Sequence, residues 1–266
     1  LGEARSVDAW TDRPEGWWPQ GMDALPKAQD VPPELDWELW KMGAEAEYSA
    51  NYLPFKWRGW TQWGCGAFGD MGCHILDPAY FALGLTVPDW VEAEVSSSSD
   101  LAYPVRSTVK MHFPATKGRG DVVLTWRDGK RNVPERPKRL EDKRKMGNSS
   151  GGSLIHCSED IAMADSHAGL VRVIPNSRAK ELHDKKIEKT ERRVEGQSHF
   201  GDWFSAIRGD VEQSSSHFDY ASGLTETVLI GAIAQRLPNQ RLEWDSAAMK
   251  FKNSEVGNKL VKSAKA

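Results

Sequence analysis

The sequence has little cysteine, no long apolar run and almost no excess of charge, and each shortage excludes a class of protein. Its three cysteines in 266 residues, Cys65, Cys73 and Cys157, cannot form a complete disulfide framework, and their spacing lacks the C-x-x-C pair of a metal site. No apolar segment approaches the roughly 18 residues that cross a bilayer. The net charge of -3 gives no reason to expect nucleic acid or acidic lipid. We therefore expect reduced thiols, no nucleic-acid or membrane partner, and a cytoplasmic location.

The sequence also lacks an initiator methionine and a signal-peptide pattern at its start. A signal peptide would place positive charges ahead of an apolar stretch, whereas Ala4–Trp10 already has the pattern of a strand. We interpret Leu1 as a cut through a longer protein, so an export signal further upstream stays open. The length allows one large domain or two modest ones.

Alternation with a period of two predicts most of the secondary structure. The predicted strands are Ala4–Trp10, Trp90–Val95, Val105–Phe113, Asp121–Trp126, Ser153–Cys157, Ile161–Ala164, Leu170–Ile174 and Gln240–Trp244. The predicted helices are Leu35–Met42, Asp70–Leu85, Phe200–Ile207 and Tyr220–Leu237, and Pro78 is expected to bend or divide the second of them. Because strands outnumber helices and do not alternate regularly with them, the pattern favours an α+β fold. We expect an open, mainly antiparallel β-sheet with helices on one face.

One charged stretch, Arg127–Lys145, carries nine basic and four acidic residues and two prolines. We interpret it as an exposed loop. A polyanion-binding patch is the alternative, and the interspersed acids weigh against it.

A glycine motif in the first third of the chain suggests a dinucleotide site. Residues 64–69 read G-C-G-A-F-G, and Asp89 lies about twenty residues further on. That fingerprint needs a buried parallel strand before its glycines, yet Lys56–Trp63 is polar and aromatic, and Asp89 follows Pro88 instead of ending a second strand. We therefore expect no dinucleotide-binding fold within this chain.

The segment after those glycines carries the chemistry. Residues 69–78 read G-D-M-G-C-H-I-L-D-P. On a helix, Asp70 and His74 project from one face about 5–6 Å apart, and Asp77 extends that face. A carboxylate beside an imidazole raises its basicity and fixes its tautomer. The spacing thus predicts a general base, His74, with Asp70 as its orienting partner.

Other interpretations of the same residues remain open. Aspartate is common as a helix N-cap, and a lone histidine near a helix start is often structural. A metal site built from Asp70, His74 and Asp77 lacks any further identifiable ligand, so we expect no metal.

This segment resembles the G-G-x-x-x-D-x-G-x-H-x-x-D motif of the Gfo/Idh/MocA oxidoreductases, and Trp57-Arg58 resembles the W-R pair of that family. Further blocks that resemble one bacterial branch of the family are Leu35–Trp40, Phe218–Ala221, Leu224–Thr227 and Leu242–Asp245. The resemblance runs in order over nearly the whole chain.

The resemblance implies a function for these residues. Residues 1–266 would be the C-terminal α/β substrate-binding and oligomerisation domain of an NAD- or NADP-dependent oxidoreductase, acting on a secondary alcohol of a sugar, cyclitol or related polyol. His74 would take the hydroxyl proton, and Asp70 would hold the imidazole and bind substrate. The further candidates are Lys56, Trp57, Arg58, Asp77 and His199 for substrate, Arg58 also for the cofactor, and Tyr52 with Trp57 as stacking surfaces for a sugar ring.

The same resemblance implies what lies outside the chain. The cofactor would be bound mainly by a Rossmann domain that precedes this region in the family and is absent here, so we expect the isolated chain to be inactive. The open face of the sheet is expected to be apolar and to pair subunits into a dimer or tetramer, as in the family. Two alternatives remain: an NAD-dependent glycoside hydrolase of the same fold, and a non-enzymatic binding or oligomerisation module.

Overall fold

The computed structural model describes residues 1–97, 99–187, 192, 194 and 198–262. The strands are β1 (Ala4–Thr11), β2 (Trp90–Val95), β3 (Ser107–Phe113), β4 (Val122–Asp128), β5 (Gly151–Cys157), β6 (Ile161–Asp165), β7 (Val171–Ile174), β8 (Arg241–Asp245) and β9 (Lys250–Phe251). The helices are α1 (Trp37–Trp40), α2 (Gly66–Leu83), α3 (Asn176–Asp184), α4 (His199–Arg208), α5 (Phe218–Arg236) and α6 (Glu255–Val261), and a 3-10 helix spans Lys56–Gly59. None of the described helices has the length and apolarity to cross a membrane.

The strands form a single open sheet in the order β7-β6-β5-β1-β4-β3-β2-β8-β9. Within the described chain β1 pairs with β4 in parallel, and the other neighbouring strands run antiparallel. The predicted α+β fold with a mainly antiparallel sheet is confirmed. Its predicted strand limits agree with the observed ones to within about two residues, which is the usual accuracy of such limits.

Helices α2 and α5 cover one face of the sheet, where α2 contacts β1 and β5 and α5 contacts β2 and β3. Strict alternation places Met111 of β3 and Leu124 and Trp126 of β4 in this buried layer. The ring of Phe68 on α2 stacks on Trp126 with centroids 4.6 Å apart. The largest side chains of the core therefore fix α2, the helix that carries Asp70 and His74, against the centre of the sheet.

Helix α2 differs from its predicted form in two ways. It begins four residues early, at Gly66, and it continues through Pro78 to Leu83 without a break. Of the prediction that Pro78 bends or divides the helix, the division is wrong. Ile75 and Ala79 are completely buried on either side of the proline, and this packing outweighs the loss of one backbone hydrogen bond. Helices α3 and α6 were not predicted, because they are short and largely polar.

The opposite face of the sheet is more polar than predicted. Asp8 on β1 bonds Arg127 on β4 and lies 2.9 Å from Nε2 of His156 on β5. Burial opposes ionisation of Asp8, but the hydrogen bonds from His156 and Arg127 outweigh it and lower its pKa below the ordinary value. Further along, the rings of Trp90 and His112 stack in parallel. The expected apolar surface is limited to one end of this face.

At that end, the segment between β4 and β5 covers an apolar cluster. Leu140 is 4% exposed and packs with Trp10, Leu154 and Met163. The expectation that Arg127–Lys145 forms an exposed loop therefore holds for most of its charges, whereas Leu140 anchors it to the sheet.

The contact between α5 and α2 requires glycine at residue 231. A methyl group there would overlap the ring of Phe68, which is fully buried and stacked on Trp126. We expect Gly231→Ala to lower the free energy of unfolding by about 1–3 kcal/mol, the cost typical of overpacking. Gly118→Ala is the matched control, because a methyl group at Gly118 meets no atom within 4 Å. Urea denaturation measures both variants, and equal stabilities would contradict this packing.

A buried carboxylate ties the sheet to α5. Asp128, 1% exposed, accepts hydrogen bonds from the backbone N–H and hydroxyl of Ser107 at 2.7 and 2.8 Å, from Trp126 Nε1 at 2.9 Å and from Gln235 Nε2 at 3.0 Å. Burial outweighs these donors and raises the pKa of Asp128 to about 6.

The raised pKa of Asp128 predicts a dependence of stability on pH. The folded chain holds this proton more tightly than the unfolded chain, in which the carboxyl has its ordinary pKa of 3.8. The stabilisation from Asp128 is therefore complete below that value and is lost as the pH rises through about 6. Asparagine does not titrate, so the stability advantage of the wild type over Asp128→Asn should fall by about 1 kcal/mol between about pH 5 and pH 7.5. Denaturant titrations at each pH measure it, with the exposed Asp100→Asn as control; an advantage that grows with pH would contradict it.

Candidate functional site

An ion pair joins the 3-10 helix to the first turns of α2. Nε of Arg58 donates to Oδ1 of Asp70 at 2.7 Å. The two side chains are 21% and 24% exposed, so one side of the pair faces the interior and the other faces solvent. The carboxylate and the guanidinium are thereby fixed at the edge of a concave surface.

Aromatic rings hold the guanidinium of Arg58 from several sides. Its central carbon lies 4.4 Å from the ring centroid of Phe55, 4.6 Å from that of Trp57 and 5.6 Å from that of Trp18. Each contact is of the cation–π type, which contributes most where water is excluded. The rings limit the rotation of Arg58 and keep its Nε directed at Asp70.

Beneath Arg58, the early tryptophans form a separate aromatic core. Trp37, Tyr52 and Trp60 are each at most 6% exposed and contact one another through Tyr52. Burial raises the pKa of the Tyr52 hydroxyl. The hypothesis that Tyr52 stacks on a sugar is wrong, since its ring is enclosed by other rings.

Lys56 is likewise occupied by its own surroundings. Its Nζ lies 3.2 Å from the carbonyl oxygen of Ala50 and 3.5 Å from Oδ1 of Asn51. These bonds close the turn that leads into the 3-10 helix. The structure thus places Trp57 and Arg58 beside Asp70 and gives Lys56 a role within the loop.

His74 has a different neighbour from the expected one. Asp70 bonds Arg58, and within the described part of the chain His74 makes no hydrogen bond to it. The exposed imidazole of His74 instead contacts the ring of His167, with centroids 4.8 Å apart. The predicted hydrogen bond between Asp70 and the His74 imidazole is not observed, and the guanidinium of Arg58 occupies Oδ1 of the carboxylate instead.

His167 belongs to the β6–β7 turn and was not found from the sequence. Its Nδ1 lies 2.8 Å from the hydroxyl oxygen of Ser166, which is fully buried. Oδ1 of Asp165 accepts from the backbone N–H groups of His167 and Gly169 at 3.1 and 2.9 Å. The D-S-H-A-G sequence of this turn predicts a tight loop, but nothing in it indicates proximity to His74.

Asp77 has a different partner from those of Asp70 and His74. The hydroxyl of Tyr220 on α5 donates to Oδ1 of Asp77 at 2.6 Å, and burial together with this carboxylate raises the pKa of Tyr220. Asp70, His74 and Asp77 thus face Arg58, His167 and Tyr220 in turn. They do not converge, and within the described residues no cluster of three or more His, Cys, Asp or Glu side chains is placed to hold a metal ion.

A cavity of about 330 Å³ opens beside the ion pair. Arg58, Asp70 and Cys73 lie on one side of it, and Trp57 and Trp63 form flat apolar walls. Desolvation and the nearby Asp77 carboxylate raise the pKa of the Cys73 thiol, which disfavours the thiolate. His74 lies one helical turn beyond Asp70, on the adjoining surface.

The glycines of residues 64–69 have packing roles. A side chain at Gly64 would overlap the backbone of Arg58, one at Gly66 the ring of Tyr103, and one at Gly69 the side chain of Cys65. A 3-10 helix and a turn precede them in place of a buried strand. Residues 64–69 therefore lack the buried strand that a dinucleotide fingerprint needs before its glycines.

His199 is exposed at the first residue of α4, whose N-cap is Ser198. The hydroxyl of Ser198 accepts from the N–H of Gly201 at 3.0 Å. Among the described residues, the structure does not bring His199 to Asp70 or His74.

Comparison with known proteins finds a matching family model and similar solved structures. The family model for the C-terminal alpha/beta domain of an oxidoreductase family, Gfo/Idh/MocA, matches residues 15–134. Among solved structures, the chain is similar to an NAD-binding protein from Listeria innocua, with 12% identity and a TM-score of 0.46, over 91% of this chain and 59% of that one. The chain thus spans less than two thirds of that structure. No curated protein matches. Residues 15–134, which contain Arg58, Asp70 and His74, are therefore similar to the C-terminal alpha/beta domain of the Gfo/Idh/MocA oxidoreductase family.

Proposed function

We propose that this chain supplies the substrate-binding and proton-transfer part of an NAD(P)-dependent oxidoreductase acting on a secondary alcohol of a sugar, cyclitol or related polyol. The match of residues 15–134 to the model of an oxidoreductase family supports the general activity. The observation that carries the proposal is the Arg58–Asp70 ion pair, which lies at the edge of a cavity one helical turn from an exposed imidazole.

The ion pair supplies groups that suit a polyol. The Asp70 carboxylate accepts hydrogen bonds from hydroxyls, and the terminal nitrogens of Arg58 donate to hydroxyl oxygens. Trp57 and Trp63 in the cavity wall present flat apolar surfaces on which the C–H face of a sugar ring would stack. A small cavity with apolar walls and few convergent polar groups is the usual form of such a site.

His74 is proposed as the general base. Oxidation of a secondary alcohol releases the hydroxyl proton, and a neutral imidazole accepts it near neutral pH. Because Asp70 is bound to Arg58, the His74 ring is oriented by its contact with the ring of His167 and not by Asp70. Ser166 fixes the His167 ring through Nδ1, so we propose His167 as a positioning residue.

The redox cofactor, NAD or NADP, finds no pyrophosphate cradle at the glycines of residues 64–69. We propose that a separate dinucleotide-binding domain holds it, that residues 1–266 form the substrate and oligomerisation domain, and that these residues alone are inactive. Arg58 remains a candidate for contact with the cofactor. The polar ladder of Asp8, Arg127 and His156 on the open sheet face is a surface on which a second subunit of a homo-oligomer would pack.

A glycosidase that oxidises and re-reduces its substrate would use the same residues without net change in the cofactor. Steady-state release of NADH or NADPH from a polyol separates the two activities. A binding module without enzymatic activity would give neither product.

The direct test of the proposed base is His74→Ala in the enzyme that carries its dinucleotide-binding domain. We expect turnover of its polyol substrate to fall by about 10²- to 10⁴-fold, the usual loss of a general base, with little change in melting temperature because the side chain is exposed. His183→Ala, an exposed histidine on α3, is the matched control and should leave both quantities unchanged. Near-normal turnover together with a lower melting temperature would show that His74 is structural.

A further inference from the structure

A second, larger cleft lies next to the proposed catalytic cavity. Its volume is about 1170 Å³, and it opens between α1 with its following turn, the end of α5 and the end of α6. Trp57 and Trp63 line both this cleft and the cavity beside Asp70. Apart from these two indoles, the proposed function uses no residue of the cleft.

Arg236 lies in the wall of this cleft with its charge unmatched. It occupies the last turn of α5, and its Nε is buried without a hydrogen-bond partner. No carboxylate of the described residues forms an ion pair with it. A buried donor that is left unbonded is costly in free energy, and guanidinium groups bind carboxylates and phosphates through paired hydrogen bonds. Because Nε is covered, the donors that Arg236 presents to an anion in the cleft are its terminal nitrogens.

Most of the other charged residues of the cleft are also basic. Lys259 on α6 and Lys262 just after it are exposed in its wall and form no ion pair among the described residues. Lys41 is paired with Glu38 at 2.8 Å, and Glu45 is the acidic residue of the lining. The cleft is thus positive within a chain of net charge -3, which raises the local concentration of anions.

Rigid indoles form the opposite wall. Trp40 and Trp63 contact each other with ring centroids 5.3 Å apart. Trp40 also stacks on the buried Trp37 at 5.2 Å, and Nε1 of Trp63 donates to the carbonyl oxygen of Lys41 at 3.2 Å. Rings held in this way form a preformed flat surface for a ligand, which lowers the entropic cost of binding.

We propose that this cleft binds a small organic anion. Its phosphate or carboxylate is bound by Arg236 and Lys259, and its ring lies on the indoles of Trp40 and Trp63. The site adjoins the Arg58–Asp70 cavity and shares Trp63 with it, but its charged residues are different, and the proposal does not depend on the proposed oxidoreductase activity.

The test uses the full chain and ¹H–¹⁵N spectra of its indole N–H groups, with glucose 6-phosphate, glucose and inorganic phosphate as probes. We expect glucose 6-phosphate to shift the Trp40 and Trp63 signals saturably, and glucose and inorganic phosphate each to bind at least about tenfold more weakly, since each lacks one half of the contacts. Equal binding of either smaller probe, or no saturable shift up to about 50 mM, where a site of millimolar affinity is filled, overturns the proposal.

Matched variants locate the site. Arg236→Gln should weaken the binding of glucose 6-phosphate about tenfold or more, as expected for loss of a charge-assisted hydrogen bond, and Lys259→Gln should weaken it by a smaller factor. Arg241→Gln is the control. Arg241 on β8 lies over the ring of Trp90 on β2 and does not line the cleft. Should Arg236→Gln fail to fold, the exposed Lys259→Gln decides. Unchanged affinity in the folded cleft variants, or an equal loss in Arg241→Gln, overturns the proposal.

Discussion

The bond between Arg58 and Asp70 joins the two segments that together form the candidate site. Arg58 comes from a 3-10 helix that is anchored in an aromatic cluster, and Asp70 comes from the second turn of a helix that is anchored on the sheet. Removing either partner would leave a partly buried charge without its counterpart, which costs more free energy than the pair itself contributes. The shape of the cavity and the direction of the Asp70 carboxylate both depend on this bond.

The sheet serves the site by holding α2 in place. Phe68 stacks on Trp126, and Gly231 lets α5 approach the same ring, so α2 cannot shift without disturbing the centre of the core. From this rigid helix, Asp70, His74 and Asp77 point to three different partners. Precise placement on regular elements is what a site needs for substrate orientation. The polar groups of Asp8, Arg127 and His156 lie on the other face of the sheet and take no part in holding α2.

Much of the fold followed from the sequence, because alternation in Ser107–Phe113 and Val122–Asp128 is strict and the buried face is apolar. The rejection of the dinucleotide motif also followed, since the residues before Gly64 lack the pattern of a buried strand. The contacts between the residues of the site could not be predicted from the sequence. Spacing on a helix brings Asp70 and His74 close, but Arg58 and His167 compete for them, and His167 lies 93 residues beyond His74 in the chain. Such long-range choices depend on the strand order, which local patterns do not encode.

The central claim, that Asp70 is bound by Arg58 and does not orient His74, is tested most directly by NMR spectroscopy of Asp70→Asn. The account predicts that the Arg58 Nε–H resonance, held by the carboxylate in the wild type, moves upfield or exchanges rapidly in the variant, because a charge-assisted hydrogen bond is lost. The ring resonances of His74 should change little, since its imidazole packs on His167. A large change at His74 with an unchanged Arg58 signal would contradict the account.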